Sequence, residues 1–325
     1  MENFNDRSAR PYLGVKNGHA LKVLKFGGAS VGSSERLQRV VEIIRRTAQT
    51  HRVVVVTSAA AGVTDTLAAA LLAMEEGTFS KEALAEGLWA RHHVLAAGLL
   101  RPAALRAYEE TLQDLLLASI ERLAHTRPML PAIADQVLAL GERLAAPLLA
   151  LALQEAGLCA AAQDAAALIR TDDTFGAALV DVAETYRQAQ RWHAGLPAAT
   201  VPVVTGFIGA TATATTTTLG RGGSDYSAAL LAAALRASVL ERWTDIDGLY
   251  TDDPYKNGQA RRLTWIRLEE AWAWNHAGRL GMHRKALDPL VEAEIPIHVR
   301  SIAAPEGPGT WILPAGYEPL AAVAS

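Results

Sequence analysis

The spacing of apolar positions changes several times along the chain, and each change predicts an element. "LKVLKFGG" is a short β-rich run ending in two glycines. In the next stretch, "SSERLQRVVEIIRRTAQ", Leu37, Val40, Val41 and Ile44 recur at helical spacing behind Ser33 or Ser34, either of which can cap. "HRVVVVTSAAAGVTDTL" follows, with four consecutive valines, the length of a strand buried on both faces, then small residues leading into another helix. Strand, loop and helix in repetition predict a parallel sheet covered by helices. Residues 66–160 read as almost wholly helical, rich in Ala and Leu and punctuated by Pro102, Pro128 and Pro131.

Beyond them, "AALIRTDDTFG" predicts a strand and a turn, "TYRQAQRWHAGL" a helix, and "TVPVVTGFIGAT" a buried strand with a glycine exit. The threonine-alanine run at 211–218 is a loop or hairpin, because β-branched residues are poor helix formers. "SVLERWTDIDGLYTDDP" predicts a strand and a loop, "RLEEAWAWNHAGRLGMHRKALDPLVEA" helices, and "IPIHVRS" a last strand. Residues 1–20 are polar and read as a loosely ordered extension. There is no internal repeat and no long linker.

Composition narrows the class. The 325 residues suffice for one large α/β domain or two modest ones, and the apolar half is ordinary for a soluble protein. A net charge of −3 gives no electrostatic reason to expect nucleic acid or an anionic membrane as partner. Cys159 is the single cysteine, so no internal disulfide or zinc spacing exists, which fits a reducing cytoplasm. The N-terminus lacks a secretory pattern, and "LAAPLLALALQEAGLCAAA", broken by Gln154 and Glu155, reads as too short to span a bilayer. The expectation is a soluble protein.

Five clusters carry candidate chemistry. In "KFGGAS", Gly27 and Gly28 let the backbone approach a ligand closely, with Lys25 as a mobile cation; an ordinary tight βα turn would look the same. "TSAAAGVTDT" puts Ser58 and Thr64 after a strand, to hold a small ligand or merely to cap the next helix. Glu142 sits in an apolar helical region, where a carboxylate needs a partner, either a substrate ammonium or a structural arginine. "LGRGGSDYS" offers Arg221 as a carboxylate clamp, Gly223 as exposed backbone, and Ser224 and Asp225 at a helix start, where they also suit capping. In "WTDIDGLYTDDP", Thr244, Asp245, Asp247 and Tyr250 follow a strand, as a magnesium or nucleotide-hydroxyl site or as a solvated acidic turn.

Taken together, "VLKFGGASV", "VVVTSAAAGVTDTL", "GERL", "RTDDTFG", "GFIGA", "TTTTLGRGGSDYSAALLAAAL", "WTDIDGLYTDDP" and "IPIHVRS…PGT" resemble, in order, the motifs of aspartate kinases of the amino acid kinase superfamily. The likeness covers residues 22 to about 313. It implies a three-layer αβα fold with a mostly parallel central sheet and helices on both faces. The catalytic domain would run 21–313, with an amino-acid lobe over about 21–200 and a nucleotide lobe over about 201–313, between the 1–20 extension and a 314–325 tail. The reaction implied is ATP-dependent phosphorylation of the side-chain carboxylate of L-aspartate, with Mg²⁺. Lys25 would neutralise the migrating phosphoryl group, and Asp225 would orient that lysine. Gly27 and Gly28 would touch phosphate. Ser58, Thr64, Glu142, Arg221, Gly223 and Ser224 would hold aspartate, Glu142 receiving the α-ammonium. Thr244, Asp245, Tyr250 and Arg279 would contact the nucleotide.

Three positions depart from the pattern. Ala29 stands for a threonine, Tyr255 for an arginine, and Leu280 for a lysine that binds ATP phosphates, with Arg279, Arg284 and Lys285 nearby as substitutes. The chain also stops after the catalytic region, so no feedback inhibition through C-terminal ACT domains is expected. A homodimer is carried as an expectation.

Overall fold

The computed structural model describes residues 10–11, 20–124, 130–252, 256–276 and 282–318. A two-residue strand β1 (Arg10–Pro11) pairs in parallel with β12 (Tyr317–Glu318) at the other end of the chain. The main sheet begins with β2 (Leu21–Phe26), followed by α1 (Ser34–Ala48), and β3 (Arg52–Thr57), followed by α2 (Val63–Glu76). Ser33 caps α1 by accepting from the Arg36 amide. Helices α3 (Lys81–Ala97), α4 (Pro102–Ala124), α5 (Pro131–Leu138) and α6 (Leu140–Glu155) come next, Pro102 and Pro131 opening two of them. Pro128 lies outside the described residues.

Strands β4 (Cys159–Gln163) and β5 (Thr200–Thr205) flank α7 (Val182–Ala194) in sequence. The hairpin β6 (Ile208–Ala210) and β7 (Thr216–Thr218) is the threonine run, folded back on itself. Helix α8 (Gly223–Ala234), β8 (Val239–Thr244), β9 (Trp265–Arg267), α9 (Leu268–His276), α10 (Asp288–Glu292), β10 (Ile297–Ser301) and β11 (Thr310–Leu313) complete the order. The eight-stranded sheet runs β4-β5-β3-β2-β8-β10-β11-β9 and is parallel except at β10–β11.

Burial on both faces follows from the valine run. Val53 and Val55 join Leu24 and Phe26 in one core, against side chains of α1, α2, α3, α4 and α6. Val54 and Val56 join Val23 and Leu240 in the other, against α8 and its neighbours. Each such buried aliphatic side chain is worth about 1.5–3 kcal/mol against exposure. The same alternation turns Lys25 toward α8.

Sequence order and spatial order part company at β2. The chain moves from β2 to β3, out to the edge strand β4 and back to β5 between them, then returns to lay β8 on the other side of β2. A parallel sheet opens a crevice at such a reversal, beyond the carboxyl ends of its strands. Lys25 stands at that end of β2.

Several expectations are corrected. Residues 159 and 160, read as the end of a helical region, begin the edge strand β4 (Cys159–Gln163). "CAAAQ" has no β-branched residue, and pairing along the whole of β5 overrides alanine's helical preference. "AALIRTDDTFG" is not a strand but a 3₁₀ turn (Ala165–Ala167) followed by single bridges from Arg170 to Ala210 and Thr171 to Val180. β11 and β12 follow "IPIHVRS", so that strand is not the last. The helical run Pro131–Glu155 is long and apolar enough by length and composition to cross a membrane, contrary to the length argument, but 72% of its apolar window is buried within the protein.

Candidate functional site

Two loops meet at the carboxyl ends of β2 and β3. The Ala61 amide donates to the Gly28 carbonyl at 3.2 Å, and the Ser58 amide to that of Phe26 at 3.1 Å. A Cβ at Gly28 would stand 2.9 Å from the Ala59 carbonyl oxygen, so only glycine permits this approach. Arg91 of α3 fastens both loops, donating to the carbonyls of Gly32 at 3.0 Å and Ala61 at 3.2 Å. Gly62, not Ser58 or Thr64, stands at the N-cap of α2, so both hydroxyls are left for other work.

The third wall is the glycine turn before α8. Gly222 has φ +72° and is the N-cap, without a side-chain cap from Ser224 or Asp225. A Cβ there would run into His283, which packs the 3₁₀ turn Arg284–Ala286 against this turn. The β6–β7 hairpin leads into it and is anchored by Asp135 of α5. That buried carboxylate accepts from the Thr218 amide at 2.7 Å and hydroxyl at 2.8 Å, and from the Gly176 amide.

These walls enclose a pocket of about 520 Å³ lined by Lys25, Gly28, Ser58, Thr64, Glu142, Arg221, Gly223, Ser224 and Asp225. Nine residues expected at the site from sequence therefore converge. Gly27 adjoins them: a Cβ on it would lie 3.5 Å from Lys25 Nζ. Thr244, Asp245 and Tyr250 are not in this lining. Thr244 ends β8 and the other two follow it; Thr244 donates to Asp245 at 3.0 Å and Tyr250 to Asp247 at 2.7 Å. Arg279, Leu280 and Tyr255 fall outside the described residues. Lys285 does not reach free solvent alone: its ammonium donates to the Leu219 carbonyl, sits 5.6 Å from the Tyr226 ring, and has its pKa lowered by burial.

Charge is arranged unevenly. Lys25 Nζ lies 2.8 Å from Asp225 Oδ1, both side chains nearly buried. Burial pushes the Asp225 carboxyl up, but Lys25 and Arg242 outweigh it and hold it below its ordinary value. Glu142 has the opposite fate. Among the described residues no arginine pairs with it, and the adjacent Arg143 pairs instead with Asp164 at 2.7 Å. Burial dominates and pushes Glu142 up to about 8, against smaller lowering by the Ala59 amide, Lys25 and the Ser224 hydroxyl. Its Oε2 is buried with no hydrogen-bond partner. Such an atom is costly unless a donor arrives from outside the protein. Arg221, by contrast, is exposed at the rim.

Sequence reading missed Arg242, Asp135, Asp65 and Phe207. Asp65 and Phe207 line the pocket, and Phe207 holds a left-handed φ of 67°, strained for a non-glycine residue. Arg242 and its neighbour Glu241 had a readable signal: two charges in the middle of a strand otherwise fit for burial demand partners.

A family model described as "Amino acid kinase family" matches residues 20–301. Lysine-sensitive aspartokinase 3 of Escherichia coli K12 is 35% identical over 298 residues, covering 89% of this chain and 63% of its own length. Bifunctional aspartokinase/homoserine dehydrogenase 1 of Arabidopsis thaliana chloroplasts is 31% identical over 310 residues, covering 92% of this chain and 34% of that protein. The solved structure of E. coli aspartokinase III in complex with aspartate and ADP matches with a TM-score of 0.79 and 32% identity, over 92% of this chain and 65% of that one. The chain thus spans about a third to two thirds of the length of these relatives. By the family match over residues 20–301, most of its length, the chain belongs to the amino acid kinase family.

Proposed function

We propose that the chain transfers the γ-phosphoryl group of ATP to the side-chain carboxylate of L-aspartate, giving 4-phospho-L-aspartate at the head of aspartate-family amino acid biosynthesis, including lysine and threonine. The observation that carries this is one pocket with a buried cation–carboxylate pair beside a buried carboxylate, Glu142, one of whose oxygens lacks a donor. The aspartate and ADP in the E. coli aspartokinase III complex support the same pairing of ligands.

In this reading Glu142 receives the α-ammonium and Arg221 clamps a substrate carboxylate, with Ser58, Thr64, Gly223 and Ser224 around them. The attacking carboxylate is already ionised, so no general base is needed. Its oxygen bonds to the γ-phosphorus as the bond to the bridging oxygen of the departing ADP breaks. Lys25 and the amides of Gly27 and Gly28 face the charge on the transferring group. Thr244, Asp245 and Tyr250, with Arg279, serve the nucleotide. Among the described residues no three His, Cys, Asp or Glu side chains converge as a metal cage. Mg²⁺ would be held by nucleotide phosphates, with Asp245 and Asp247 available to its water shell, and would supply charge neutralisation. Residues 21–200 and 201–313 would be the amino-acid and nucleotide lobes, in a soluble cytoplasmic enzyme acting as a homodimer.

Coupled ADP release measured across aspartate, glutamate and their analogues tests this. Turnover with aspartate is expected. Turnover only with another acidic amino acid would reassign the substrate, and aspartate binding without any turnover would make the protein a binding paralogue.

A further inference from the structure

Two cations share one oxygen of Asp225. Lys25 Nζ is 2.8 Å and Arg242 Nε 3.5 Å from the same Oδ1. The strand register produces this. Lys25 of β2 and Arg242 of β8 are partners in the parallel ladder, and both reach toward the first turn of α8, where Asp225 sits. The residues on either side of Arg242 face the other way. Trp243 packs on Phe26 in the opposite core, and Glu241 accepts from Lys22 at 2.7 Å.

The two cations differ in what else they can reach. Lys25 and Asp225 line the pocket, whereas Arg242 does not. A buried lysine held by a carboxylate of its own is a neutral pair, and its charge is spent on that contact. A second cation on the carboxylate changes the balance. The ammonium is held less tightly, and the carboxylate keeps a counter-ion if the ammonium moves away.

We propose that Arg242 is a positioning residue for phosphoryl transfer. It fixes Asp225 and keeps it ionised, so that Lys25 can turn from Asp225 to the migrating phosphoryl group and return. Arginine suits this better than lysine would, since its charge persists at any working pH and its planar fork holds orientation. This rests on the phosphotransfer reading above.

The full chain carrying Arg242→Met or Arg242→Lys is compared with wild type in ADP release. In Arg242→Met, kcat should fall about tenfold or more while the aspartate KM stays within about twofold, with Arg242→Lys between the two. A second measurement needs no turnover: the rate at which an amine-reactive ester labels Lys25, followed by peptide mass spectrometry. Labelling should slow in Arg242→Met, where Asp225 grips the ammonium alone, and recover in Arg242→Lys. Arg242→Gln carries the same expectation as the methionine variant and replaces it if that variant does not fold. Unchanged Lys25 labelling, or an aspartate KM that rises with kcat untouched, overturns the proposal. Absence of turnover in wild type would instead sink the phosphotransfer reading, and the labelling rate would still decide whether Arg242 governs Lys25.

Discussion

Lys25 and Glu142 bring opposite electrostatics to one pocket, and each can be tested alone. Lys25 faces charge that builds up during transfer, so Lys25→Met should lower kcat by about a hundredfold or more and leave the aspartate KM nearly unchanged in steady-state assays. Glu142 titrates. Its folded pKa of about 8 lies above the ordinary 4.5, so the folded protein keeps a proton that the unfolded chain has lost. Stability from this group is therefore full below about 4.5 and declines as pH rises through about 8. Thermal unfolding of Glu142→Gln should show a shallower decline over that window than wild type, and an identical decline would refute the assignment. A substrate ammonium requires the ionised carboxylate, so the aspartate KM of wild type should also improve toward pH 8, and this trend should vanish in the variant. These residues were legible in the sequence because lysine beside paired glycines, or a carboxylate in an apolar helix, is conspicuous on its own. Arg242 signalled only that it needed a partner; its meaning comes from Lys25 and Asp225, which only strand pairing and helix packing bring to it.

At the scale of elements, the site depends on supports that carry no chemistry. The threonine-alanine run at 211–218 reads as a loop or hairpin, and it forms the turn and second strand of one. What holds it is Asp135, whose carboxylate gathers the Thr218 amide, the Thr218 hydroxyl and the Gly176 amide. Asp135→Ala would strand the buried amide and hydroxyl of Thr218, at about 1–3 kcal/mol for the loss. Urea unfolding should show a lower midpoint with the same slope. Turnover should fall too, because the hairpin delivers Arg221 and Gly223 to the pocket, and a variant as stable as wild type would show that the anchor is dispensable. Elements with a strong internal period, β3 and α1 among them, were readable. β4 was not, because an alanine-rich edge strand is defined by its neighbour β5 rather than by its own side chains. The 3₁₀ turn at Ala165–Ala167 had the same fate: the Thr205 hydroxyl accepting from the Ala165 amide at 2.8 Å fixes it from outside.

The whole molecule explains why one small pocket can report on the stability of everything around it. Its walls come from both sides of the sheet: Glu142 belongs to α6, packed in one core, and Asp225 to α8, packed in the other. Sequence alone did not show this, since nothing local in "LKVLKFGG" says that β8 will return to the free side of β2 and make it the switch point. A ligand gripping both layers stabilises the folded state alone, and at a hundred times its Kd the gain is about 2.7 kcal/mol. Aspartate should therefore raise the Tm of wild type in a concentration-dependent way, measured by calorimetry without nucleotide. Glu142→Gln separates binding from folding. It removes a buried charge one of whose oxygens has no donor, so the ligand-free variant should unfold no earlier than wild type near pH 8. Yet without the ammonium's partner, its Tm should rise far less with aspartate. Equal shifts in the two proteins would mean that aspartate stabilises the fold from somewhere other than this pocket.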